Sequence, residues 1–377
     1  MVLKKDGKSQ ARAGLIKTVH GEIETPAFVP VGTQATVKSL SNRDLEDIGV
    51  QIFFVNTYHV YLRPGLQTVG CFGGLHQFIG WKGPLITDSA GFQIFSLGEG
   101  RRQGRLKLRE EQDVPLVRIT EEGVTFRSHL DGKEHFFTPE SSIEAQVVLG
   151  ADIIFALDEC IYYPATFEYV KMATERTGRW AERCLTVSRR DYQALYGVIQ
   201  GGVFENLRQA SARDISRLPF GGIAIGGVSV GESKKEMELV LDWVVPHLPE
   251  DKPRHLLGVG EIDDIFTLVE KGVDTFDCVM PTRLGRMGHV LVHSSKWTLD
   301  ITKSQYAKDA TPIDENCRCF VCQNYTRAYI NHLFRVKELL AYRLATYHNL
   351  YFLEKLVEKI RFSIKEGNFL DFKKEWL

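Results

Sequence analysis

The chain has 377 residues, 44% of them hydrophobic and 25% charged, with a formal net charge of −1. That length holds one large barrel with an appendage, and the composition is that of a soluble globular protein rather than a disordered or fibrous one. Near-neutral charge excludes a general polycation, so any contact with nucleic acid must use a local patch.

The opening stretch MVLKKDGKSQARAG has no apolar core of signal-peptide length, and no later run approaches membrane-spanning length. A cytoplasmic protein with no membrane partner is expected. Seven short apolar runs then end in a polar or glycine signal: QIFFVNTYH (51–59), PLITDSAG (84–91), ADIIFALDEC (151–160), ALYGVIQGG (194–202), GGIAIGG (221–227), RHLLGVGE (254–261) and DTFDCVMP (274–281). Helical segments separate them. PESSIEAQVVLG carries Pro139 near its start and Gly150 past its end, and SKKEMELVLDWVVPHL and DDIFTLVEKG read similarly. Continuous apolar strands alternating with amphipathic helices predict an α/β fold, a (β/α)8 TIM barrel over residues 1–302. Its active site would lie where strands end, at Asp88, Asp158, Gln200, Gly227 and Asp277.

A strand-terminal Asp often caps the next helix. Three at the ends of one barrel's strands would instead converge, supplying a nucleophile, a proton shuttle and a ligand anchor. Paired carboxylates about a glycosidic bond suit double displacement. Cys278 alternates away from the Asp277 face and reads as packing. The glycine pairs QGG, IGG and GVG lack the spacing of dinucleotide or P-loop fingerprints. Arg283 and Arg286 follow the Asp277 strand directly, and guanidinium forks suit phosphate. The run RRQGRLKLR (101–109) reads as a solvated loop, with reach to an RNA backbone as the alternative.

Residues 303–350 break the rhythm. CRCFVC sets three of the seven cysteines, Cys317, Cys319 and Cys322, within six residues. Three thiolates plus one imidazole, His332 or His348, would close a tetrahedral structural site. Apolar residues at Leu333, Val336, Leu339 and Leu340 follow helical spacing. The segment 303–350 thus reads as a metal-pinned helical insertion, with a final helix (351–377) returning to the barrel.

Eight ordered motifs, TPAFVPVGTQATVKSL, DSAGFQIFSL, LGADIIFALDEC, YGVIQGG, GGVSVGE, LLGVG, FDCVMPTRLGR and CRCFVC…YH, resemble the bacterial tRNA-guanine transglycosylases over nearly the whole chain. The resemblance implies a (β/α)8 barrel with a zinc insertion. It implies exchange of the wobble guanine in tRNAs with GUN anticodons (Tyr, His, Asn, Asp) for a 7-deazaguanine base. On that likeness Asp277 is the nucleophile and Asp88 the general acid/base. Residues Asp88, Ser89, Ala90, Gly91, Phe92, Asp158, Gln200, Gly227 and Leu257 match base-binding positions. Gly258, Val259, Gly260, Asp264, Thr282, Arg283 and Arg286 match tRNA contacts. Cys317, Cys319, Cys322 and His348 match the ligands of one structural Zn2+, and the family's homodimer is expected. Phe92, Leu257 and Val228–Ser229 depart from the family's usual tyrosine, methionine and Leu-Ala. Cys160 and Val230 favour 7-aminomethyl-7-deazaguanine as incoming base, with queuine the alternative. Two rivals are a retaining glycoside hydrolase, against which the rim arginines and zinc insertion speak, and a non-catalytic tRNA-binding subunit, which would lack the paired aspartates.

Overall fold

The computed structural model describes residues 1–102, 117–294 and 296–377; all but the first two residues of the basic run 101–109 lie outside them. Eight short strands share one sheet: β1 (Ala27–Pro30), β2 (Phe53–Val55), β3 (Leu85–Thr87), β4 (Ile153–Phe155), β5 (Ala194–Ile199), β6 (Gly222–Ile225), β7 (Arg254–Leu256) and β8 (Thr275–Cys278). Their order is β1-β8-β7-β6-β5-β4-β3-β2, so strands lie beside their sequence neighbours and the last pairs with the first. Long helices alternate with them: α1 (Gly91–Arg102), α2 (Pro139–Leu149), α3 (Phe167–Leu185), α4 (Glu205–Arg217), α5 (Lys234–Val244), α6 (Ile262–Glu270) and α7 (Met280–Arg286). This is the (β/α)8 class expected from the alternation. All seven apolar runs contain a strand. The eighth, β1, follows Pro26 and ends in Pro30, so it does not read as an uninterrupted apolar run.

Internal contacts group the chain into two compact units. The first comprises Met1, Thr18–His20 and Phe54–Leu257. Its strands pair in parallel, Ile154 opposite Thr87, Phe155 opposite Tyr196 and Ile199 opposite Ile225. Helix α2 starts and stops where the sequence signals it. Thr138 caps its first turn, Pro139 occupies N1, and Gly150 ends it in the left-handed region at φ 71°. From this helix Gln146 bolts two strands together. Its Oε1 accepts from Thr87 Oγ1 (3.2 Å) and Phe155 N (2.9 Å), and its Nε2 donates to Phe155 O (2.8 Å). The two strands it fixes are those that lead into Asp88 and Asp158.

The second unit comprises Val2–Lys17, Gly21–Phe53 and Gly258–Leu377. Here β8 pairs with β1, placing Asp277 opposite Val29. A buried fork from Arg12 to Asp274, 2.8 Å and 2.6 Å, anchors the start of β8. The C-terminal segment adds α8 (Phe320–Asn324), α9 (Arg327–Arg335), α10 (Leu339–Glu366) and α11 (Phe369–Trp376). Sequence spacing reads Leu333 to Leu340 as one helical stripe and starts the final helix near 350. Instead α9 stops at Arg335 and α10 runs unbroken from Leu339 through 350. Lys337 sits in the left-handed region at φ 59°, and Glu338 N donates back to Leu333 O. That Schellman-type stop uses lysine where glycine is usual, so the sequence gives no punctuation. Val336 and Leu339 are 51% and 80% exposed, so their spacing is not a core stripe.

Candidate active site and metal centre

In the first unit, polar side chains gather beyond the carboxyl ends of β3 to β6. Asp88 directly follows β3 and is gripped from the end of the β2 run. Asn56 Nδ2 donates to its Oδ2 (2.6 Å), Thr57 N to its Oδ1 (2.8 Å), and Thr57 Oγ1 to its carbonyl (2.5 Å). Ala90 N also donates to Oδ1 (3.2 Å), from a left-handed backbone at φ 71°. An alanine in that region marks a turn the surroundings enforce. Desolvation raises the Asp88 pKa, against the lowering effect of its donors Asn56, Thr57, Ala90 and Gln93. Phe92, four residues on, leaves 49% of its surface exposed.

Asp158, beyond β4, is buried. Gln200 Nε2 donates to its Oδ2 at 2.7 Å and Ser89 Oγ to its Oδ1 at 3.4 Å. Burial pushes its pKa up to about 6, with the Asp88 charge adding to the rise. Gln200 Oε1 is buried and meets no donor among the described residues. Gly227 lies against it at φ 62°; a Cβ there would stand 2.5 Å from Gln200 Oε1. Leu257 closes the set, partly exposed, with its N–H on Ile225 O. The structure thus brings Asp88, Ser89, Asp158, Gln200 and Gly227 together.

Sequence reasoning missed three supports. Asn56 and Thr57 end the run QIFFVNTYH, where the strand-end rule already pointed. Arg208 carried no signal: an arginine inside an amphipathic helix reads as surface. It is wholly buried instead.

In the second unit Asp277 sits within β8, 8% exposed, and accepts a hydrogen bond from Gly258 N (3.0 Å). Cys278 takes the other face. Burial pushes its thiol up to about 12, so it packs as a neutral group against Gly260. Thr282 is buried and its hydroxyl caps Val279 O (3.2 Å). Arg283 is exposed, while Arg286 folds back to donate to Thr282 O (2.7 Å). Gly258 is exposed, Val259 and Gly260 are buried, and Asp264 is buried in the first turn of α6.

Cys317, Cys319, Cys322 and His348 form a group able to hold a metal, their ligand atoms all within 4.8 Å of one another. His348 Nε2 bonds Leu291 O (2.6 Å), which directs Nδ1 at the three sulfurs, 3.8, 3.5 and 3.3 Å away. His332, the competing imidazole, is exposed on α9. Another cluster, His20, His76 and Asp152, suits a metal poorly. Its imidazoles stack at 3.6 Å and 14°, so their lone pairs run parallel instead of converging.

Residues 6–377 match the family model described as Queuine tRNA-ribosyltransferase. The chain is 52% identical over 376 residues to the queuine tRNA-ribosyltransferase of Halothermothrix orenii, covering 100% of this chain and 96% of that one. It is 50% identical over 373 residues to that of Pelotomaculum thermopropionicum, 99% and 96% covered. With that of Geobacillus kaustophilus identity is 50% over 367 residues, 97% and 92% covered.

Proposed function

The chain belongs to the queuine tRNA-ribosyltransferase family, and on that premise we propose how its residues carry out the reaction. It is an enzyme, a tRNA-guanine transglycosylase, and exchanges a guanine of tRNA for another base. The proposed substrate is the wobble guanosine of tRNAs with GUN anticodons (Asp, Asn, His, Tyr). The proposed incoming base is 7-aminomethyl-7-deazaguanine, with queuine as second candidate, and the working form a cytoplasmic homodimer.

The target nucleoside must leave the stack to be reached. Asp277 then attacks the ribose C1′ as the bond to guanine N9 breaks, through an oxocarbenium-like transition state. Asp88 gives the departing N9 its proton, a task favoured by its raised pKa. In the second half-reaction Asp88 takes the N–H proton of the incoming base, whose nitrogen attacks C1′ and frees Asp277. Arg283 and Arg286 hold flanking phosphates, aided by Thr282 and the loop from Gly258 through Val259 and Gly260 to Asp264. Phe92 and Leu257 cover the ring faces, and the backbone of Ser89, Ala90 and Gly91 follows its edge.

The observation that supports this reading most directly is Asp158 beside Gln200. A carboxylate and an amide oxygen lacking a donor among the described residues, both buried, suit the N1–H and 2-amino donors of a guanine-type ring. Zn2+ is the proposed metal. Zinc bonds of 2.3 Å to sulfur and 2.0–2.1 Å to nitrogen at tetrahedral angles separate S from N by roughly 3.6 Å. The three Sγ to Nδ1 distances of 3.3 to 3.8 Å fit that value. With four protein ligands such an ion pins the fold and leaves no open position for chemistry.

The test is label exchange. Labelled guanine should be released from charged tRNA by the wild type with either candidate base, and the faster base identifies the substrate. Asp277→Ala should release none while still folding and binding tRNA; normal turnover by that variant would remove Asp277 from the mechanism.

A further inference from the structure

Arg208 belongs to α4, yet its side chain is 0% exposed and turned into the loops that follow β5 and β6. Nε donates to Gly202 O (2.6 Å), Nη1 to Gly226 O (2.7 Å) and Ile199 O (3.3 Å), and Nη2 to Gly227 O (2.5 Å). Among the described residues no carboxylate lies within salt-bridge distance of it. The nearest acid, Glu232, spends an oxygen on Val230 N (2.9 Å). A buried cation whose hydrogen-bond partners are all backbone carbonyls, with the Glu232 charge acting from beyond contact, is costly to desolvate, and what it gains in return is the fixing of those carbonyls.

What it controls is the direction of two peptide units. In a trans peptide the carbonyl and the following N–H point opposite ways. Pinning Gly226 O and Gly227 O therefore turns the N–H groups of Gly227 and Val228 away from the guanidinium. Gly227, at φ 62° and with no Cβ, has little intrinsic preference to hold that orientation. Gly201 permits the arrangement, since a Cβ there would stand 2.7 Å from Arg208 N.

We propose that Arg208 is a positioning residue for base recognition: its fork holds the Gly226–Gly227 and Gly227–Val228 peptides so that their N–H groups serve as donors to the ring carbonyl of the guanine-type base. The assignment rests on the base-exchange reading above and adds to it the residue that orients the donors. A rotated peptide would present a carbonyl to the base's own carbonyl, which repels it.

The experiment compares Arg208→Met and Arg208→Lys with wild type. Three quantities are measured: KM for labelled guanine in the exchange reaction, affinity for tRNA, and inhibition by 2-aminopurine, which lacks the ring carbonyl. Arg208→Met should raise KM for guanine by roughly tenfold or more, the loss expected for one charge-assisted contact. Binding of tRNA and of 2-aminopurine should stay within about twofold, the scatter of such contacts. Arg208→Lys keeps the charge but not the fork and should fall between. Equal losses for guanine and 2-aminopurine, a loss confined to kcat, or failure of both variants to fold would assign Arg208 to structure and overturn the proposal. Absence of guanine exchange in the wild type would instead overturn the base-exchange reading itself.

Discussion

Asp158→Asn should stabilise the protein at neutral pH while removing base binding. The reasoning starts from the Asp158 pKa, raised by burial from the ordinary 3.8 to about 6. Below 3.8 the carboxyl is neutral in folded and unfolded chains alike and contributes nothing. Between 3.8 and 6 the folded state binds more protons than the unfolded one, so stability falls as pH rises. Above 6 the loss is complete, at about 1.36 kcal/mol per pKa unit or about 3 kcal/mol. Asparagine keeps the shape and acceptor oxygen without the charge. Its advantage over wild type should grow from about 1.6 kcal/mol at pH 5 to about 3 kcal/mol at pH 8. Any pH-independent cost of the substitution cancels in that difference. At roughly 2.1 cal/mol/K per residue of unfolding entropy, about 3 kcal/mol corresponds to a Tm rise of about 4 °C. Urea titrations of both proteins at the two pH values measure it. A stability gap that stays constant with pH, or that narrows, would refute the claim that the fold holds Asp158 against its ionisation. The same ionisation should give guanine kcat/KM an acidic limb near pH 6.

Two further outcomes are expected. Asp88→Asn should cut the exchange rate by roughly a hundredfold or more, the usual worth of positioned proton transfer, while a covalent tRNA adduct still appears on a denaturing gel; unimpaired exchange would exclude Asp88 from proton transfer. Elemental analysis should find about one zinc per chain, the content of a single closed four-ligand site, and stripping it with a strong chelator should melt helices α8 to α10 without first slowing turnover of protein still folded. Fully active, metal-free protein would overturn the ligand assignment.

The barrel was legible because strand burial on both faces leaves a composition signal: Ile153 to Phe155 or Gly222 to Ile225 cannot be polar anywhere. The carboxylates and Gln200 were legible for a related reason, since a polar residue directly after such a run sits at the strand's carboxyl end. Asn56 stood at such a strand end without being singled out, and Arg208 carried no such signal. Its role depends on which neighbours it meets across the fold, and nothing local records that Arg208 meets four carbonyls. The stop at Lys337 was hidden differently. Its backbone conformation is set by tertiary packing, which overrode the residue's weak local preference.

Three features around the first unit's strand ends run against stability: the raised acid Asp158, the buried cation Arg208, and Ala90 held at φ 71°. A fold consistent at every level would contain none of them. In the proposed reading each serves the binding or chemistry of a guanine-type ring. The carboxylate would meet the ring's donors and the guanidinium would aim backbone N–H groups at it, while the Ala90 turn brings an amide onto Asp88 at 3.2 Å. Charges that cost the apo fold are offset when a ligand with complementary donors arrives. Base binding should therefore stabilise the wild type more than Asp158→Asn, which has shed the charge the ligand's donors would meet, and more than Arg208→Met, which no longer aims the N–H donors at the base.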